Sequence, residues 1–405
     1  MLPLARVLVA GQESKFLGKA MGVEAAINYE DLRRMARKRL PRIAFDFIEG
    51  GVDGEEALAR NGEAFKSYSL MPKRMVDVDT VDSATRLFDQ TYGHPFGIAP
   101  TGAAGLMRAG ADLMLARAAK AANIPFIMSG ASTATMEELA EITSDYGWYQ
   151  LYMPRDRAIG DHMIRRADRC GFPVLVLTVD VPGLAKNERD IRNGLSPRIR
   201  PSLSARVEAL LHPRWIYDYL TGRGFTSNNW QKYIPAGAGQ SELLRFLQAQ
   251  LPVPITWDDV AHVRKLWPRR LVLKGVLHPA DAKRAAASGV DGVIVSNHGG
   301  RQLDRAPASV EALGPICDAV GDKMTIMLDS GIRCGADIVT ARCLGAKFVF
   351  VGRWTLYGVA AGGQPGAHHA VTMIHREVTT VMRQIGAPNA DAFGPDFLMQ
   401  RGRPR

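Results

Sequence analysis

A histidine, two glycines and an arginine follow one another in "SNHGGR", as His298, Gly299, Gly300 and Arg301. Histidine is the side chain whose ordinary pKa lets it take up or release a proton near neutral pH. Arginine presents a planar fork of donors that matches a carboxylate. The glycines between them remove side-chain bulk, so the main chain can approach a flat ligand closely. A proton acceptor beside a carboxylate clamp predicts chemistry on an acid, at the carbon next to its carboxyl group. The preceding run, "DGVIVS", is apolar and β-branched, which predicts a buried strand that ends at the motif.

Seven other short runs have the same character: "PFGIAP" (95–100), "IPFIMS" (124–129), "WYQLY" (148–152), "VLVLTVD" (174–180), "RLVLKG" (270–275), "MTIMLDS" (324–330) and "KFVFVGR" (347–353). Amphipathic stretches such as "GADLMLARAAKAAN", "TMEELAEIT" and "HPADAKRAAASG" lie between them, with apolar residues at helical spacing. Strands buried on both faces and separated by helices imply a parallel sheet, and eight repeats predict a closed (β/α)8 TIM barrel of α/β class. A doubly wound open sheet is the alternative, but no GxGxxG follows any of these strands and no GxxxxGK[ST] occurs.

Barrels of this kind carry their chemistry at the C-terminal ends of the strands. Those ends hold Pro100, Thr101 and Gly102; Ser129; Gln150 and Tyr152; Thr178 and Asp180; Lys274; Ser296; Asp329, Gly331 and Arg333; and Gly352 with Arg353. Singly, each has a plainer reading, since Ser, Thr and Asp often cap helices and lysine can extend its charge to solvent. Polar residues at all eight ends together predict one polar site on one rim.

The 405 residues, 46% hydrophobic and 23% charged, suffice for one large domain. A formal charge of +10 predicts an anionic partner: nucleic acid, an acidic membrane surface or anionic small molecules. No nucleic-acid-binding motif occurs, so that class is set aside. Cys170, Cys317, Cys334 and Cys343 are scattered, which predicts a reduced, cytoplasmic chain with no metal site. No apolar run approaches the roughly 20 residues that span a bilayer. Residues 1–27 are expected to be an extension, with Met21 an alternative start, and 28–405 a single domain.

"SNHGGRQ" resembles the active-site signature of the FMN-dependent L-2-hydroxy-acid dehydrogenases and oxidases. "LPRIAFDFIEGG", "APTG", "WYQLY", "LTVDVP", "LVLKG", "LDSGIR" and "VGR" follow the same family in order, and "LHPRW" and "LYGVAA" most resemble its membrane-associated mandelate dehydrogenases. The resemblance implies FMN as cofactor and oxidation of a lactate- or mandelate-like 2-hydroxy acid to the 2-oxo acid. It makes His298 the base, Asp180 the stabiliser of the imidazolium, Arg301 and Tyr29 the carboxylate holders, and Tyr152 a neighbour of the hydroxyl-bearing carbon. Lys274 would lie at the flavin N1–O2 edge, with Ser129, Gln150 and Thr178 on the ring's polar edge. Pro100, Thr101, Gly102, Ser296 and Asp329 complete the flavin site, and Gly331, Arg333, Gly352 and Arg353 hold the phosphate. The family's usual second arginine is replaced by Asn187. Glycine at 102, where many of the similar oxidases have alanine, implies a dehydrogenase that keeps electrons from oxygen.

Residues 185–256 form a long insertion after strand four. Leu203, Val207, Leu210 and Leu211 share a helical face, followed by Trp215, Tyr217, Tyr219 and Phe225 among Arg206, Arg214 and Arg223. That mixture predicts a peripheral membrane helix, on the inner face of the membrane, where a quinone or other acceptor takes the electrons; a lid over the site is the alternative. The similar family also implies a homo-oligomer. A soluble oxidase that makes peroxide is the rival activity.

Overall fold

Short runs of β-branched and aromatic residues, apolar at every position, are stable only where both faces of the strand are covered. The computed structural model, which describes residues 22–400 apart from 144, 196–200, 222–226 and 238, covers them in this way. Eight parallel strands close on themselves in sequence order: β1 (Phe96–Ile98), β2 (Phe126–Met128), β3 (Gly147–Leu151), β4 (Val174–Thr178), β5 (Arg270–Val276), β6 (Gly292–Val295), β7 (Thr325–Leu328) and β8 (Phe348–Val351). β8 pairs with β1 through Val349–Phe96 and Val351–Ile98 and shuts the barrel. Each expected run supplies one strand, and the fold is the expected (β/α)8 TIM barrel.

Helices α1 (Tyr29–Arg39), α2 (Arg42–Glu49) and α3 (Glu56–Phe65) precede the barrel. Asn28 starts α1 by accepting a hydrogen bond from the Asp31 main-chain nitrogen at 2.9 Å, the usual task of a capping side chain. Within the barrel, α4 (Ala111–Ala121), α5 (Met136–Thr143) and α6 (Arg157–Arg169) follow β1, β2 and β3. The excursion after β4 contains α7 (Glu188–Asn193), α8 (Leu203–Ala209), α9 (Pro213–Thr221) and α10 (Gln240–Gln250) before α11 (Trp257–Leu266) returns to the barrel wall. α12 (Pro279–Ala287), α13 (Ser309–Val320), α14 (Gly335–Cys343) and α15 (Arg353–Ile385) follow β5 to β8. α15 is kinked at Gly363, just before Pro365, and packs on α4 and α1. Of the expected extension, residues 1–21 lie outside the described residues, as do Arg223 and Phe225; Val23 is buried beside Gly362 and Gly366 of α15.

Side chains alternate across each strand, and those that point into the barrel change character along it. Near the strand starts they are apolar: Val174 and Val176, Val272, Ile294, Met327, and the rings of Trp148, Phe348 and Phe350. One step further along lie Gln150, Thr178, Lys274, Ser296 and Asp329, all buried. The barrel is therefore filled at its base and polar at its mouth. A hairpin of Thr85–Leu87 and Gln90–Tyr92 floors the base, where Tyr92 packs edge-on against Phe348 and accepts a hydrogen bond from the Trp148 indole nitrogen at 3.3 Å.

Candidate active site

β6 ends at Val295, and the chain then takes up left-handed backbone at three residues in succession, His298 (φ 59°), Gly299 (φ 68°) and Gly300 (φ 75°). Glycine is needed for more than an open approach: a Cβ at Gly300 would lie 2.6 Å from the Leu58 main-chain nitrogen, and one at Gly299 would lie 2.8 Å from an Arg353 guanidinium nitrogen. The turn is held by Ser296 Oγ, which accepts from the His298 main-chain nitrogen at 3.0 Å, and by Ser330 Oγ, which accepts from that of Gly299 at 2.9 Å.

This turn aims the His298 ring across the mouth to β4. Its Nδ1 lies 3.0 Å from Asp180 Oδ1, and its Nε2 lies 3.4 Å from the Tyr152 hydroxyl. An anionic carboxylate at Nδ1 selects the tautomer with its proton there, leaving Nε2 as an acceptor. Burial works against the charge on Asp180, but His298 and Lys274 outweigh it and hold the carboxyl below its ordinary value. Burial likewise opposes the Lys274 ammonium, and Asp329 and Asp180 outweigh it and raise that pKa. Lys274 Nζ sits 3.1 Å from Asp329 Oδ2 and 3.1 Å from Ser296 Oγ. Burial pushes the Tyr152 hydroxyl up to about 12, so it keeps its proton at neutral pH.

The mouth opens into a cavity of about 360 Å³ that reaches from Lys274 and His298 to Arg333 and Arg353 and has Pro100, Thr101 and Gly102 in its wall. Gln150 accepts from Ser129 Oγ and the Gly130 main-chain nitrogen, yet its Nε2 is buried with no partner among the described residues, as is Thr178 Oγ1. Such groups are costly unless a ligand completes them. At the far end, burial and then repulsion from Arg333 lower the Arg353 pKa to about 10. Gly352 and Arg353 begin α15 there, and helix starts favour phosphate. A flat ring with a polar edge, joined to a phosphate, fits this donor set, and Gln150, Thr178, Lys274, Arg333 and Arg353 are the residues that would hold FMN.

A second chamber, also about 360 Å³, lies on the other side of a wall shared through Phe47, Ala131, Tyr152 and Arg301. Leu106, Met153, Val181, Leu184, Leu251 and Ile255 make it largely apolar. Its polar corner holds Arg301, Asn187 and Asp190. Arg301 stacks on Phe47 (5.1 Å), donates to the Phe47 and Gly50 carbonyls at 2.8 Å each, and lies 3.5 Å from Asp190. Burial raises the Asp190 carboxyl to about 6 despite Arg301.

All but one of the expected site residues lie at or behind this mouth. Tyr29 is the exception and requires a correction. Its ring is buried edge-on against Trp354 and Tyr357 and lies under the Arg333 guanidinium. It lines neither cavity, so the carboxylate-holding role does not fit it. The position facing Arg301 is Phe47, which the sequence reading passed over because phenylalanine has no polar atom. Asp190 was also missed: it lies in the charged run "KNERD" beside Asn187, and only the turn into α7 brings it to Arg301.

The family profile "FMN-dependent dehydrogenase" matches residues 36–400. The chain is 38% identical to (S)-mandelate dehydrogenase of Pseudomonas putida over 379 residues, which cover 93% of this chain and 94% of that protein. It is 37% identical to L-lactate dehydrogenase of Caulobacter vibrioides over 374 residues, 92% of this chain and 97% of the relative. Among solved structures, that of the monotopic membrane protein (S)-mandelate dehydrogenase superposes with a TM-score of 0.88 at 36% identity, over 93% of this chain and all of the other. With the fold, the flavin-fitting cavity and this breadth of similarity in agreement, the chain belongs to the FMN-dependent dehydrogenase family and is an FMN-dependent oxidoreductase.

Proposed function

We propose that the protein oxidises an L-2-hydroxy acid with a bulky apolar side chain, mandelate-like rather than lactate-like, to the 2-oxo acid and passes the electrons to a quinone-like acceptor. The observation that carries this reading is the His298–Asp180 pair, set where a flavin-fitting cavity meets an apolar chamber ending in Arg301. A methyl group would leave most of the chamber empty, whereas an aryl or long alkyl group would cover Leu106, Met153 and Ile255. The names of the relatives support a hydroxy acid of the mandelate or lactate class.

Arg301 binds the substrate carboxylate and, with the Tyr152 hydroxyl, directs the hydroxyl-bearing carbon toward the mouth. His298 Nε2 takes the proton that the substrate gives up to the protein, and Asp180 stabilises the imidazolium that results. Lys274 is buried at the mouth and would place its positive charge at the polar edge of a bound flavin. FMN, when bound, accepts the two electrons of the oxidation.

The acceptor and the location rest on α8 and α9. Leu203, Val207, Leu210, Leu211, Tyr217 and Leu220 are all exposed there, with Arg206 and Arg214 beside them. An exposed apolar ridge rimmed by arginines suits the surface of an anionic membrane, on the cytoplasmic side where quinone is accessible. No helix among the described residues is long and apolar enough to cross a membrane, so contact would be peripheral. The similar monotopic membrane protein (S)-mandelate dehydrogenase supports the same reading.

The FMN-loaded enzyme, mixed anaerobically with mandelate, a long alkyl 2-hydroxy acid and lactate, should bleach its flavin faster with the first two. Air should then yield little peroxide compared with dye reduction. Preference for lactate would sink the substrate assignment; rapid peroxide formation would favour a soluble oxidase; and no bleaching with any acid would leave a binding protein.

A further inference from the structure

Away from the flavin, α9 meets the end of α1 and the chain after β1 around a hollow of about 340 Å³. Arg39, Arg108 and Arg214 line it together with Pro213, Tyr217 and Asp218. Three arginines and one carboxylate thus line the same hollow. Asp218 pairs with Arg39 and lies 3.9 Å from Arg108. The Arg39 side chain is only 13% exposed, and its Nε is buried with no hydrogen-bond partner among the described residues. Burial, and then repulsion from Arg39, lowers the Arg108 pKa. Glu208 on α8 does not relieve the excess charge, because its oxygens face the Arg42 main-chain nitrogen, His212 and Arg37.

Guanidinium groups lining one hollow, with a single carboxylate among them, offer donors that match the oxygens of a phosphate. The rim indicates the source of that phosphate. α9 carries the exposed Leu220 as well as Arg214, while α8 exposes Leu203 and Val207 and the link between the two helices exposes Leu210 and Leu211. A free phosphate ester needs no apolar rim, whereas a lipid presents its phosphate directly above hydrocarbon. The hollow is also preformed: Trp215 of α9 stacks with Tyr219 at 5.2 Å and donates to the Leu106 carbonyl at 2.8 Å, two residues before Arg108.

We propose that the hollow formed by Arg39, Arg108 and Arg214 binds the phosphate of an anionic phospholipid headgroup at the edge of the exposed leucine ridge. The proposal rests on the membrane reading above and assigns it a specific headgroup site.

Sedimentation of the FMN-loaded full chain with vesicles tests it, using phosphatidylcholine alone and phosphatidylcholine mixed equally with phosphatidylglycerol. Wild-type protein should bind the mixed vesicles. Arg206→Gln, an exposed charge on the same face but outside the hollow, should weaken binding about fivefold, the effect of a diffuse surface charge. Arg108→Gln, which is more recessed, should weaken it by at least about thirtyfold and leave anaerobic flavin reduction unchanged. Equal effects of the two substitutions would overturn the headgroup site while leaving membrane docking intact. Absence of wild-type binding to either vesicle would overturn both. Saturable quenching of tryptophan fluorescence by glycerol 3-phosphate, lost in Arg108→Gln, together with vesicle binding that Arg108→Gln leaves unchanged, would mark a site for soluble phosphate esters and overturn the lipid assignment.

Discussion

His298 can act as a base only in the tautomer that Asp180 selects, and its nearest other polar neighbour, Tyr152, is too weak an acid to compete for that task. His298→Asn should retain FMN and lose about 10²–10⁴ in turnover, the range typical of a positioned base; flavin reduction at a near-normal rate in stopped flow would remove His298 from the chemistry. Asp190 offers a pH test. Its carboxyl is harder to ionise in the folded protein (about 6) than at its ordinary 3.8, so the fold binds more protons than the unfolded chain between those values. Stability therefore falls as pH rises across that window, and Asp190→Asn should lack this fall in denaturant unfolding at its two ends. Asn187 lies in the same corner with its Oδ1 buried and without a partner among the described residues. Asn187→Arg should raise kcat/KM for mandelate if the corner needs a second cation; an unchanged or lower value would mark a pocket rebuilt for another acid. The rim residues were legible because each ends an apolar run, whereas Phe47 was not. It contributes a ring face and a carbonyl to Arg301, and neither is visible in a residue type.

The barrel elements were legible for a related reason: a strand buried on both sides is apolar throughout, and the helices between carry their own period. The end of β5 shows what such reading does not reach. Gly275 has φ 105°, and a Cβ there would meet Asp180 Cγ at 2.4 Å. Gly275→Ala should displace Asp180 from His298, lowering turnover with FMN still bound; a variant with normal turnover would show that the carboxylate tolerates the move. Leu203, Val207, Leu210 and Leu211 were read as one helical face, whereas the structure ends α8 at Ala209 and starts α9 at Pro213. Pro213 begins the second helix, consistent with the preference of proline for a first turn. The floor hairpin escaped notice because its strands are three residues long, too short for a periodic signal.

For the whole molecule, the proposed dehydrogenase activity ties Gly102 to the fate of the electrons. A methyl group added there would approach Ala131 Cβ at 3.2 Å and Ser129 Oγ at 3.6 Å, close enough to be accommodated with a small shift. Gly102→Ala should therefore keep FMN and raise oxygen consumption relative to dye reduction; an unchanged ratio of peroxide to reduced dye would separate this position from oxygen reactivity. The floor has a consequence for traffic. With Trp148, Phe348 and Phe350 packed beneath the polar layer and Tyr92 against Phe348, the described residues fill the base of the barrel, which leaves its mouth as the approach for fuel and oxidant alike. If that approach is shared, product has to vacate before the acceptor can draw near, and the catalytic cycle becomes a strict alternation. Initial rates measured against both substrates should give parallel reciprocal lines, with the hydroxy acid at high concentration jamming the entrance against its own electron acceptor.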